Sequence, residues 1–449
     1  MARKKRMIAG FVMGLAAGLL LAPVLARPDG ETDWDAWRDD FFEPLGLAVR
    51  HIERHYVDEV NPEDLLVGAY HGILSQLDQY SSYIPPERLE EFEGDTKGEF
   101  GGLGIQIRFY PLEKLLRVEQ PIPGTPAFRA GVMAGDVITK VREHATGKVL
   151  DTSEFRDVHD AVRVLRGEVG TKVSITVLHE RSHEEEEITI MRAVIKIPGV
   201  RAVRMQDEQY KIGYIYVASF HERTADDLRE SIKKLQEAGL RGLVLDLRFN
   251  PGGLLSSAID VSDMFLGDAV VVSTRGRASP EQVFRTRSDD ILADAPVVVL
   301  LNRYSASASE IVAGAIKDNR RGLLVGETTF GKGSVQSILP LKNGESALKL
   351  TTAKYYTPSG VCIEKTGVEP HIKIEMTDQG RAVVENYLQN AGAEDYAGKA
   401  RYAIFRYTEV ELPSLDDIRE KNKKDTLSEM DHLILKMEYE SKQMAIKGE

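Results

Sequence analysis

Apolar positions fall into three regimes along the chain. From Phe42 through Leu47, Val49 and Ile52, and again from Leu65 to Leu77, they recur at the spacing of one helix face, so residues 41–92 are expected to be helical. Asp78-Gln79-Tyr80-Ser81-Ser82-Tyr83, followed by Pro85-Pro86, reads as a turn. Between residues 97 and 193 the period becomes two. Ile105-Gln106-Ile107-Arg108 alternates as a half-buried strand, 137–141 and 173–178 are further strands, and glycine- and proline-rich turns separate them. One helix is expected over 157–166, with Val158, Ala161, Val162 and Leu165 on one face, and 183–187 reads as a charged hairpin tip after the last clear strand. From 210 to 375 the strands become continuous apolar runs, at 213–217, 242–247, 296–301 and 323–325. Helical patterns separate them at 225–238, 254–265 and 307–317. That arrangement predicts buried parallel strands with helical crossovers, an α/β core.

The two ends differ from this. Arg3, Lys4, Lys5 and Arg6 precede an uncharged run over residues 7–26 that ends Val24-Leu25-Ala26. A basic start, an apolar run and a small-residue end read as an export signal; uncleaved, the run is about long enough to anchor in a bilayer. Residues 27–40 are polar and acidic, a linker. Residues 376–449 are charged and helical in character, with Leu433, Ile434, Leu435 and Met437 as one apolar cluster suited to dimerisation or to an intramolecular contact.

Composition narrows the chemistry. The 449 residues suit two or three domains, and a formal charge of −12 gives no basic face for nucleic acid. One cysteine, Cys362, excludes an internal disulfide framework and a cysteine-rich zinc site. The ten histidines form no HExxH metalloprotease pattern.

Four segments could carry chemistry. Asn302-Arg303-Tyr304-Ser305-Ala306-Ser307-Ala308-Ser309-Glu310 lies where a strand ends and a helix begins, so N–H groups and a partial positive charge face whatever sits there. A serine in that position suits a nucleophile, yet Ser307 with Glu310 is equally a capping box, and three alternate serines leave the nucleophile open. Lys332, between Gly331 and Gly333, follows a buried strand. A lysine acts as a base only when burial lowers its pKa from about 10.4 by about three units; otherwise it is an ordinary loop lysine. Asp246-Leu247-Arg248-Phe249-Asn250-Pro251-Gly252-Gly253 also follows a strand, and its glycines suit either an oxyanion hole or a tight turn. Gly101-Gly102-Leu103-Gly104-Ile105 precedes a strand and could hold a terminal carboxylate on backbone N–H groups while the strand edge accepts a peptide.

Taken in order, these segments resemble the carboxyl-terminal processing peptidases, or tail-specific proteases, over about residues 45–375. Tyr56-Val57-Asp58, Leu77-Asp78, the GEFGGLGI run at 98–105, Gln336 and Tyr355-Tyr356-Thr357-Pro358-Ser359-Gly360 add to the likeness. Departures are Gln79-Tyr80 in place of Pro-His, Phe249 in place of a polar residue, Val361-Cys362-Ile363-Glu364 in place of Arg-Ser-Ile-Gln, and His371 in place of Asp. The resemblance implies a crotonase-like α/β core with an inserted, mostly-β PDZ domain and helical terminal segments. Its boundaries are a leader or anchor at 1–26, a linker and helical segment at 27–96, PDZ at 97–193, peptidase core at 194–375 and a charged helical tail at 376–449.

The resemblance further implies Ser307 as nucleophile, Lys332 as its base and Gln336 as the group that orients the lysine. It puts the oxyanion on the N–H of Ala308 and of Gly252 or Gly253, and the peptide on Gly102, Leu103, Gly104 and Ile105. Arg166, at the end of the PDZ helix, is a candidate sensor of peptide occupancy, or a helix-end arginine capping carbonyls. No metal, nucleotide or other cofactor is needed. The expected partners are proteins with exposed apolar C-termini, an adaptor, and further copies of the chain. The expected location is the bacterial periplasm or the outer face of the inner membrane. Alternatives are a catalytically silent PDZ scaffold, a latent protease awaiting an adaptor, and a Ser-His-Asp hydrolase using His159, His221 or His371, although no Gly-x-Ser-x-Gly elbow surrounds Ser307.

Overall fold

The computed structural model describes residues 34–375, apart from 181, 288–290, 293–294 and 342–343, together with 381, 382 and 384. The expected leader and the apolar cluster near Leu433 lie outside the described residues. The chain divides into two compact units.

Of the described residues, the first unit takes those within 34–90, 272–284 and 333–364. Its helices Trp34–His55 and Pro62–Leu74 realise the helical spacing; Asn61 caps the second, accepting a hydrogen bond from the Glu63 N–H at 3.0 Å. The expected turn at 78–83 is only partly a turn. Asp78 accepts the N–H groups of Tyr80 and Ser81, but Ser82–Ile84 is a strand, antiparallel to Ala347–Lys349 within the long strand Ser346–Tyr356. That strand also pairs with Ser334–Leu341 and Val270–Gly276, making an antiparallel sheet that the expectation of parallel strands did not contain. Its partners are distant in sequence, and each strand is too mixed in burial to show a clean period.

Of the described residues, the second unit takes those within 91–271, 285–332 and 365–384. Its central sheet has Val200–Asp207 antiparallel to Ile212–Val217, then Gly242–Asp246, Val297–Leu301, Leu323–Gly326 and Ile372–Lys373, all parallel. All six positions of Ile212–Val217 are buried, as a strand covered on both faces requires. The helices Thr224–Glu237, Leu255–Asp263 and Ala308–Asp318 are the expected crossovers, and Ala308 through Ile316 are buried on every side. The mixed α/β class expected from the pattern is therefore present.

The inserted β unit has strands in the order Ile105–Tyr110, Leu115–Pro121, Val137–Glu143, Lys172–Leu178, Glu185–Met191. Its core gathers Leu116, Val118, Ile138, Val141, Val173, Ile175 and Val177, all fully buried. Glu185–Met191 corrects the expected hairpin tip: residues 185–187 pair along Lys172–Leu178, because Ile188 and Ile190 anchor that strand on the core. Two shorter strands, Glu99–Gly102 and Ala193–Lys196, pair antiparallel where the insertion begins and ends. The helix Val158–Leu165 starts at Asp157, whose carboxylate accepts the N–H groups of His159 and Asp160.

Candidate active site

Three loops at the ends of the parallel strands meet around Ser307. Ser307 is the N-cap of Ala308–Asp318 and has φ +55° and ψ −112°, a backbone region that costs a non-glycine residue about 1–3 kcal/mol. The three serines separate by their bonds. Ser305 Oγ donates to the Leu247 carbonyl at 2.8 Å and Ser309 Oγ to the Asn250 carbonyl at 3.0 Å, so both are fully buried fasteners of the glycine turn. Among the described residues, Ser307 Oγ donates no such bond.

Glu310 joins the serine turn to the lysine turn. Its Oε2 accepts the Ser307 N–H at 2.8 Å and the Lys332 N–H at 2.9 Å; its Oε1 accepts the Gly331 N–H at 2.7 Å and the Thr329 hydroxyl at 2.5 Å. Glu310 is fully buried, and that burial raises its carboxyl pKa against the pull of these donors. The Glu310 half of the capping box read from sequence is therefore present, and the same carboxylate also sets the loop that carries Lys332. Gly331 is required there: its φ is +88°, and a side chain would press on the backbone of Lys365 and Thr366 at 3.0 Å. Lys332 is half-buried.

The glycine turn is fixed from both sides. Asp246 is fully buried and holds Arg248 and the Tyr214 hydroxyl. The Asn302 side-chain oxygen accepts the N–H groups of Phe249 and Tyr304, tying the glycine and serine turns together. A side chain on Gly252 would lie 2.7–2.9 Å from Ala306, Ser307 and Ala308. The two glycines differ in what their N–H groups do. Gly252 N–H donates to the Asn250 side chain at 2.9 Å, whereas those of Gly253 and Ala308 donate to no acceptor among the described residues.

Glu327 begins the lysine loop. It accepts hydrogen bonds from Arg303 of the serine turn and from the buried Arg381. Burial alone would push its carboxyl up, but the two guanidinium groups hold it below the ordinary range. Glu310, Asn302, Asn250 and Glu327 were not singled out as site residues from sequence. Only Glu310 carried a signal there, as the third position of the capping box.

Gln336 lies in the first unit. Its amide nitrogen donates to Ser334 Oγ at 2.9 Å and to Thr351 Oγ1 at 3.2 Å. Of the histidines considered for a Ser-His-Asp arrangement, His221 bonds Ser219 Oγ, His371 accepts the Leu324 N–H, and His159 faces Glu91 at 3.9 Å.

In the inserted unit, Gly102 ends a strand, Leu103 is buried and Gly104 has φ +80° with Thr125 packed against it. Ile105 opens Ile105–Tyr110, an edge strand whose outer side is unpaired among the described strands and which packs beside Val158–Leu165. An edge strand beside a helix, preceded by a glycine loop, can take an extended peptide by strand addition. Arg166 follows that helix. Its guanidinium bonds Asp95 at 3.2 Å and lies 3.8 Å from the centre of the Phe100 ring. Its main-chain N–H donates to the Val162 carbonyl, the ordinary bond of a helix end, which leaves the helix-capping alternative for the side chain untouched.

The chain has recognisable relatives among known proteins. The peptidase family S41 model matches residues 211–374 and a PDZ domain model matches residues 117–178. The carboxy-terminal-processing protease of Bartonella bacilliformis is 42% identical over 337 residues, which cover 74% of this chain and 74% of that protein. The carboxy-terminal processing protease CtpA of Bacillus subtilis is 34% identical over 345 residues, 76% of this chain and 71% of that protein. Among solved structures, a photosystem II D1 C-terminal processing protease is 30% identical and covers 74% of this chain and 92% of its own, with a TM-score of 0.42. The chain belongs to peptidase family S41, as a PDZ-containing serine protease of the carboxy-terminal processing kind.

Proposed function

We propose that the protein is an exported endopeptidase with a Ser307/Lys332 dyad, which cleaves proteins presented by their apolar C-terminal tails and is gated by the PDZ domain. The observation that carries the reading is the Glu310 carboxylate, which accepts the main-chain N–H of both Ser307 and Lys332. A single rigid acceptor shared by two loops gives the nucleophile and its base one common reference point. In this mechanism Lys332, neutral, takes the Ser307 proton as the hydroxyl attacks the peptide carbonyl, and then delivers it to the leaving amine. The N–H groups of Ala308 and Gly253 receive the oxyanion, which the engagement of Gly252 with Asn250 favours over Gly252. Water releases the acyl-enzyme. The substrate tail adds to Ile105–Tyr110 with its carboxylate at Gly102-Leu103-Gly104, and Arg166, through Asp95 and Phe100, responds to its arrival.

The test is cleavage of an unfolded reporter with an apolar C-terminus by wild type, Ser307→Ala and Lys332→Ala, without added metal or nucleotide. Cleavage by wild type alone supports the dyad. Activity surviving Lys332→Ala overturns it. No cleavage by any form, with tail binding intact, supports a scaffold or a protease that waits for an adaptor. Export is tested by fractionating cells that produce the full chain; recovery in the cytoplasm counts against it.

A further inference from the structure

The PDZ domain leaves and rejoins the core through two stems, residues 96–98 and 197–199. The stems are bonded to each other, Ile197 N–H to the Gly98 carbonyl at 2.8 Å. Both are also bonded to one short core segment: Ala218 N–H donates to the Gly199 carbonyl at 2.7 Å, and Glu222 N–H to the Thr96 carbonyl at 3.3 Å. Inside that segment His221 is 5% exposed and packs against both stems where they have no side chain. A Cβ on Gly98 would lie 2.6 Å from His221 Nδ1; one on Gly199 would lie 2.9 Å from its Cε1 and 2.1 Å from Thr224 Oγ1. The ring is held by Ser219 Oγ on Nε2 at 2.8 Å and Thr224 Oγ1 on Nδ1 at 3.1 Å.

The same segment grips the glycine turn. Phe220, next to His221, donates its N–H to the Gly252 carbonyl at 3.0 Å and accepts the Leu254 N–H at 2.7 Å, with Gly253 opposite it in a parallel bridge. A Cβ on Gly253 would fall 2.0 Å from the Phe220 carbonyl oxygen. Backbone therefore touches imidazole on one side and backbone on the other, with no flexible side chain between to absorb a displacement. Close-packed interiors of this kind transmit strain rather than dissipate it.

We infer that residues 218–222 are the element through which the PDZ stems set the Gly253 N–H, with His221 as the positioning residue. The inference rests on the PDZ-gated reading above. Movement of either stem shifts His221 and, one residue away, the Phe220 main chain that fixes the turn.

The experiment uses the full chain and a short amidated peptide as substrate, which offers no carboxylate to the PDZ domain. Its hydrolysis is measured with and without a saturating apolar tail peptide that has a free carboxylate. Tail binding is followed by fluorescence anisotropy in the Ser307→Ala background. In His221→Ala, tail affinity is unchanged, while stimulation by the tail falls by at least about fivefold, the lower end of ordinary coupling between two sites, and the loss lies in kcat rather than KM. His221→Asn, which keeps a polar group between Ser219 and Thr224, recovers part of the stimulation. Should His221→Ala not fold, Gly199→Ala carries the test, because its added methyl presses on Thr224 and His221 and also lowers the stimulation. Wild-type stimulation in a folded His221→Ala, or in Gly199→Ala, overturns the relay while leaving the gating intact. A wild type that the tail peptide does not stimulate overturns the gated reading itself.

Discussion

Replacing Glu310 with glutamine keeps the side chain's shape and removes one acceptor. The carboxylate receives four donors, two at each oxygen. If the new NH2 faced Ser307 and Lys332, two main-chain N–H groups would be opposed. Facing Thr329 and Gly331 is the better choice, since the Thr329 hydroxyl can turn and accept; it already accepts the Val368 N–H at 2.7 Å. One buried donor, Gly331 N–H, then remains unpaired, at a cost of about 1–3 kcal/mol. Borne wholly by the alignment of the lysine loop in the transition state, that is about 5- to 150-fold in rate, at 1.36 kcal/mol per decade. It is also small enough to leave a domain of ordinary stability, about 5–15 kcal/mol, folded. Steady-state kinetics on a short peptide, with urea unfolding of the same preparation, reads both. The expected result is a reduced kcat with KM retained and a lowered urea midpoint. Glu310→Ala, which leaves all four donors unmatched, is expected to be inactive and far less stable. A Glu310→Gln enzyme with wild-type kcat and midpoint would refute the clasp.

The remaining expectations follow from single contacts. Gly253→Ala drives a methyl into the Phe220 carbonyl and displaces the N–H proposed to receive the oxyanion, so kcat falls about 10²- to 10³-fold; single-turnover kinetics within tenfold of wild type would count against Gly253. Arg166→Ala removes both the Asp95 pair and the Phe100 ring contact, and weaker stimulation by tail peptides is expected; unchanged stimulation removes Arg166 as a sensor. In the PDZ domain, hydrogen bonds to Glu186 and Asp136 raise the His179 pKa above its ordinary value. Its stabilising share is therefore complete below the unfolded value of about 6.5 and is lost as pH rises through the folded pKa. Urea midpoints in a pH series should show that loss in wild type and not in His179→Gln; identical slopes would refute it.

The sequence by itself determined the local features. Continuous apolar runs marked four of the parallel strands to within a residue or two, because a strand covered on both faces is mostly apolar, whereas the two-residue strand Ile372–Lys373 is too short to show such a run. Ser307 at a helix start and Lys332 between glycines were legible for the same local reason: caps and turns are chosen by neighbouring residues. Tertiary structure decided what depends on partners far along the chain. The strand Ser82–Ile84 exists because Ala347–Lys349 lies beside it, and no period in its own residues announces it. Ser305 and Ser309 are separated from Ser307 only by carbonyls of the 247–250 turn, and Gly252 from Gly253 only by the Asn250 side chain. Glu310 looked like half of a capping box until the fold brought Gly331 and Lys332 to its second lone pairs. A hydrogen bond is assigned by distance and direction, and those are properties of the packed chain rather than of its order.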